Sequence, residues 1–173
     1  MSSELFEFHL PDRFVIGTVG APGERAFYLQ VKKADLLRSF GLEKSQASAI
    51  AERATELLRE IDLRFERLPE DSHPLDTPIE PDFSLGLISL TWRSDDRMVM
   101  FEGQELRLDE SEGAEGSSLS MLRVHLTPEQ LSSFISRTRS VVQAGRQPCI
   151  FCGGPLDVTG HLCPRANGYR RQP

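Results

Sequence analysis

The stretch KSQASAIAERATELLREIDLRFERL, residues 44–68, sets the fold class. Its apolar positions Ala47, Ile50, Ala51, Ala54, Leu57, Leu58, Ile61, Phe65 and Leu68 recur every three or four residues, which places them on one face of a helix. The periodicity predicts a helix over the whole stretch, ended by Pro69. Such a stripe must be buried against something, and the flanking sequence supplies strands.

Upstream, Phe6 to Leu10, Arg13 to Val19, Arg25 to Val31 and Leu36 to Leu42 are rich in β-branched and aromatic residues. Pro11-Asp12, Gly20-Ala21-Pro22-Gly23 and the stretch from Lys32 to Asp35 separate them as turns, so a β-meander is the simplest connection. Downstream, residues 69–82 hold four prolines and several acids, the composition of an extended connection within the domain. Phe83 to Trp92 and Arg97 to Glu102 flank the turn Ser94-Asp95-Asp96 as a second hairpin, and Leu119 to Leu126 adds a last strand. Between them, Glu102 to Ser118 contains six acids and few apolar residues, the pattern of a surface loop.

A second helix starts at Thr127-Pro128-Glu129-Gln130, which has the N-cap hydroxyl, the proline at the first helical position and the glutamine at the third. Its stripe is Leu131, Phe134, Ile135, Thr138, Val141 and Val142, and Gly145 stands where a left-handed stop belongs. The element order predicts an α+β fold: an antiparallel sheet of two meander-like halves, both helices packed on one face, and a small C-terminal zinc knuckle. The expected domains are residues 1–145 for the α+β body and 146–173 for the metal-binding knob.

The knuckle is read from Cys149-Ile150-Phe151-Cys152-Gly153-Gly154 and His161-Leu162-Cys163. Two thiolates three positions apart can grip one ion, and the glycines let backbone amides turn toward the sulfurs. Eight residues beyond Gly153, an imidazole and a third thiolate complete the four soft or borderline ligands of tetrahedral zinc. The expectation is one structural zinc ion per chain on Cys149, Cys152, His161 and Cys163. Four protein ligands leave no open position for an activated water, which argues against catalysis at the metal. Clustered cysteines in odd number make a poor disulfide framework.

The net charge of −6 is unevenly spread. Arg137 to Arg171 holds six arginines, no lysine and one acid, Asp157, leaving −11 for the remainder. With three thiolates and a divalent ion the tail still carries about +4. Arg165, Arg170 and Arg171, with Tyr169 among them, are the expected partner-binding residues, directed at an acidic surface either on this chain or on a protein partner. The acidity of the whole chain disfavours a nucleic acid as the partner. No run approaches the roughly 20 apolar residues of a membrane span, and the N-terminus lacks the pattern of a secretory signal, so a cytoplasmic location is expected. His9, His73 and His125 stand isolated in the sequence, Asp95 and Asp96 read as turn acids, and no catalytic residue stands out.

Pro11-Asp12-Arg13-Phe14, Gly17-Thr18-Val19-Gly20, Leu42-Glu43-Lys44, Pro148 to Gly153 and Gly160 to Gly168 resemble an actinobacterial family classed as a domain of unknown function, DUF3090. The resemblance covers nearly the whole chain and implies a cytoplasmic protein with this metal cluster, but no reaction. The expectation is a non-catalytic, zinc-containing adaptor module. Its rivals are an enzyme acting on a small molecule in a pocket between sheet and acidic loop, and a nucleic-acid binder using the basic knob. An adaptor needs an exposed apolar patch beside the knob, an enzyme convergent polar groups in a cavity, and a nucleic-acid binder a continuous basic face.

Overall fold

The structure is a computed structural model and describes residues 3–21, 23–107, 119–145, 149–153, 156, 161, 163 and 165. In chain order the elements are β1 (Leu5–His9), β2 (Arg13–Val19), β3 (Ala26–Lys33), β4 (Leu36–Leu42), α1 (Lys44–Glu60), β5 (Pro81–Arg93), β6 (Met98–Glu105), β7 (Met121–Leu126) and α2 (Pro128–Gln143). The α+β class stands, but the sheet is mixed. Its order is β1-β7-β6-β5-β4-β3-β2, with β1 parallel to β7 and β4 parallel to β5. The meanders account for the antiparallel pairs. The two parallel pairs join segments far apart in sequence, where turn residues carry no information.

This order forces the sheet to curl. β1 and β2 lie at opposite edges, yet only Leu10, Pro11 and Asp12 separate them. A flat sheet of this size would place its edges about 29 Å apart, whereas the connection can reach only about 14 Å. The edges are therefore drawn toward each other. Lys33 Nζ donates to His9 O, and the Ala34 amide donates to Asp12 Oδ2 at 2.7 Å, tying the β1–β2 corner to the β3–β4 turn. Across the enclosed core, Phe14 of β2 meets Phe101 of β6 at 5.3 Å and Phe134 of α2 at 4.7 Å between ring centroids. Phe6 of β1 meets Phe40 of β4 at 5.7 Å. One core cluster runs through both halves, and each helix contributes to it.

The chain is built as two similar halves. β3, β4 and α1 repeat as β6, β7 and α2, and β5 serves both by pairing first parallel to β4 and then antiparallel to β6. In the other half β1 and β2 together do the same work, β1 parallel to β7 and β2 antiparallel to β3. A register shift between Leu85 and Ile88 bends β5 where the Leu10–Asp12 corner breaks β1 from β2.

α1 stops eight residues short of the expected end. Ile61 caps it, Asp62 takes a positive φ of 43°, and the chain leaves in extended form. The continuing stripe residues do not need the helix because the segment lies along α2. Ser133 Oγ donates to Pro69 O at 2.8 Å, Ser140 Oγ donates to Glu70 Oε2 at 3.1 Å, and Arg137 Nη1 donates to Asp71 O. Hydrogen bonds from α2 thus hold the chain at residues 69–71, just beyond the stripe.

From there residues 71–77 form a strap held against β2 and β3. Arg13 Nε donates to Asp71 Oδ2 at 2.6 Å and its Nη1 to Asp76 Oδ2 at 3.0 Å. The buried Gln30 donates to Asp76 O at 2.9 Å and accepts from its amide at 2.9 Å. Gly17 is required beneath the strap, since a Cβ there would lie 2.5 Å from Leu75 Cγ.

Candidate metal centre

The segment after α2 brings Cys149, Cys152, His161 and Cys163 together, with one donor atom from each within 4.8 Å of all the others. Cys149 and Cys163 are buried, and their sulfurs stand 3.8 Å apart, unbonded. This is the edge of a tetrahedron with metal–sulfur bonds of about 2.3 Å. Cys152 Sγ lies 3.1 Å from His161 Nε2. The local turn explains the convergence. Gly153 takes φ 73°, which a side chain would resist, and its amide donates to Cys149 O at 2.8 Å.

The turn also prepares the sulfur electrostatically. Backbone amides of Cys152 and Phe151 point at Cys149 Sγ, the latter at 3.4 Å, and hold its thiol below the ordinary value. A thiolate is the form a metal binds. The donor set of three sulfurs and one imidazole fits a tetrahedral metal ion, and the one-residue gap between His161 and Cys163 does not prevent closure.

Of the expected partner-binding residues, Arg165 is placed: its Nη1 donates to Phe151 O at 3.2 Å, folding it back over the knuckle. Tyr169, Arg170 and Arg171 lie outside the described residues. The six-arginine stretch does not act as one surface. Arg137 is buried in α2, where Nε donates to Ile16 O at 2.8 Å and Nη1 lies 3.3 Å from Asp71 Oδ1. Burial draws its pKa down while Asp71 opposes the shift. Arg139 is fixed by a 2.8 Å bond to Thr55 Oγ1. Likewise Asp71, Asp76 and Asp82 of the acidic connection face Arg13, Lys32, Arg38 and Arg137 of the body.

Two of the histidines are not isolated. His9 and His125 are register partners on β1 and β7, and their rings stack at 4.0 Å with 5° between planes. His125 Nε2 lies 3.1 Å from Glu7 Oε1, and this hydrogen bond, aided by His9 and Arg123, lowers the Glu7 pKa. The sequence held no sign of this group, because it depends on the parallel β1–β7 pair. His73 serves the strap: its amide donates to Asp71 Oδ1 at 2.9 Å and its carbonyl accepts from Arg13 at 2.9 Å. Asp96 pairs with Arg93 at 3.2 Å within its turn, as a turn acid does.

No helix among the described residues is long and apolar enough to cross a membrane. Neither the curated proteins nor the solved structures yield a match to the chain. The family described as protein of unknown function, DUF3090, matches over residues 6–163, from the first strand to the last cysteine of the cluster. The chain that builds this curled sheet and its Cys/His cluster therefore belongs to the DUF3090 family.

Proposed function

We propose that this protein is a non-catalytic adaptor in which Cys149, Cys152, His161 and Cys163 hold one structural zinc ion and the resulting knuckle presents a docking tip to another protein. The observation that carries the reading is the exposure of Ile150, 89%, and Phe151, 58%, between the two buried or half-buried ligands Cys149 and Cys152. Closing the cluster fixes these apolar side chains outward at the tip of a tight turn, where they cannot reach the body's core. Large apolar groups held out on a rigid support are what a protein interface anchors on. Arg165, bonded to Phe151 O, supplies adjacent positive charge, and Tyr169, Arg170 and Arg171 extend it in sequence.

Zinc is favoured by the donor set, since three thiolates and an imidazole suit zinc in preference to hard cations. Four protein ligands make its role one of folding. Elemental analysis should return one zinc per chain, lost in Cys149→Ser/Cys163→Ser. For the docking tip, crosslinking in native cells identifies partners, and purified components then test them. Ile150→Ser/Phe151→Ser should retain zinc and lose the identified partner. Equal capture by this variant and by the unaltered protein would overturn the docking role.

A further inference from the structure

A second site lies elsewhere on the molecule, in a groove of about 640 Å³ between α1, α2 and the extended segment that follows α1. Four arginines line it: Arg59 from α1, Arg64 and Arg67 from the extended segment, and Arg139 from α2. No acidic residue lines it, in a chain whose net charge is −6. Arg59, Arg64 and Arg67 have no side-chain hydrogen bond or ion pair among the described residues; Arg53 engages Glu56 and Glu60 of α1, at 3.5 and 2.9 Å, and Asp62 and Glu66, which alternate with these arginines in sequence, do not line the groove. The fourth cation is held in position, because Arg139 donates to Thr55 Oγ1, whose hydroxyl in turn donates to Ala51 O at 2.7 Å.

The rest of the lining is apolar or hydroxylic. Leu58, Leu63, Phe65 and Ile135 form the apolar portion, and Ser132 and Ser136 edge it. Like charges gathered on three separate segments repel one another, and a single polyvalent anion between them removes that cost. Guanidinium forks match phosphate oxygens in pairs, so arginine in place of lysine points to phosphate. The apolar wall with its half-buried aromatic ring suits a planar or apolar body attached to that phosphate. The volume is in the range of small-molecule sites, about 300–1,000 Å³.

We infer that this groove binds a small organic phosphate of nucleotide size, its phosphates on Arg59, Arg64, Arg67 and Arg139 and its body on Phe65 and Leu63. Early termination of α1 makes the site. A helix continued to Leu68 would not lay Phe65 and Arg67 beside α2, and the positive φ at Asp62 is the turn that does so. The groove shares no residue with the Cys/His cluster.

Isothermal titration of the full-length, metal-loaded protein with ATP and with inorganic pyrophosphate tests the inference. Both probes should bind, ATP more tightly because only it has a body to place on the apolar wall. Arg64→Gln/Arg67→Gln should weaken ATP binding about tenfold or more, the scale of lost charge-assisted hydrogen bonds, with unchanged thermal unfolding and zinc content. Arg165→Gln should leave binding unaltered. The inference is overturned if neither probe gives heat at millimolar concentration, if the double variant binds ATP as the unaltered protein does, or if pyrophosphate binds as tightly as ATP. A steeply salt-dependent association with single-stranded RNA in place of ATP binding would assign the groove to nucleic acid instead.

Discussion

Gln46 and Gln130 do the same two jobs in the two halves of the chain. Each stands at the third position of its helix and accepts the N-cap amide on Oε1, from Glu43 at 2.8 Å and from Thr127 at 3.0 Å. Each also donates from Nε2 to the bend in the strand beside it. Gln46 reaches Leu85 O and Gly86 O at 2.9 and 3.1 Å, and Gln130 reaches Pro11 O at 2.8 Å. The helix start and the strand bend are thereby fixed to one another in both halves. Replacing either glutamine with alanine should cost about 1–2 kcal/mol, from a lost cap and strand carbonyls left without a donor. The two share no partner, so chemical denaturation of the double variant should give the sum of the single effects.

Gly17 and Leu75 test whether the strap is part of the folded body. Gly17→Ala places a methyl group 2.5 Å from Leu75 Cγ, so the strap must shift or its leucine must rotate. The expected loss is about 1–3 kcal/mol, the usual scale of overpacking. Adding Leu75→Ala should restore part of it. A double-mutant cycle showing no coupling would place Leu75 elsewhere.

Arg13 holds the same strap through charge, which makes its attachment sensitive to acid. The guanidinium lowers the Asp71 pKa below its ordinary value of 3.8, helped by the His73 amide. A depressed carboxylate pKa contributes stability that is present above the ordinary value and lost as pH falls through the folded value. Asp71→Asn should therefore be less stable at neutral pH by about 1–3 kcal/mol. Its deficit relative to the unaltered protein should close as pH drops below 3.8. Urea titrations across that range measure the difference directly.

Removing the proposed zinc should affect the cluster and spare the sheet. The core cluster draws on both helices and on the strands from Phe6 to Leu126, and none of its members belongs to the Cys/His cluster. Far-UV circular dichroism should change little on chelation, while amide signals near Cys149 to Gly153 lose their dispersion. Cooperative loss of the whole fold would mean that the metal also supports the body.

Each element showed itself in the sequence where its signal was local. The helix stripes, the capping box at Thr127 and the turn at Ser94–Asp96 are short-range patterns, and the structure contains them. The parallel pairing of β1 with β7 joins Leu5 to Met121, and no turn residue records such a contact. The glutamine of the first capping box, Gln46, follows a glutamate N-cap that is weaker as a signal than serine or threonine. The stripe predicts a longer α1 than the structure holds because Phe65 continues it in sequence, whereas Asp62 takes a positive φ and Phe65 lines the arginine groove. The Cys/His cluster was legible because a cysteine knuckle is a local motif. The Glu7, His9 and His125 group was hidden because it exists only across the β1–β7 pair.

Placing β1 beside β7 also orders events as the chain is made. Residues of β1 leave the ribosome more than a hundred residues before their hydrogen-bonding partners on β7, Leu5 pairing with Met121. Until then Phe6 and Phe8 have no β7 to lie against, and the half containing β3, β4 and α1 can organise around β2 without them. Long-range closure of this kind is slow, because much of the chain must be ordered before the contact forms. The earliest of the seven strands is thus the one whose pairing waits for the latest.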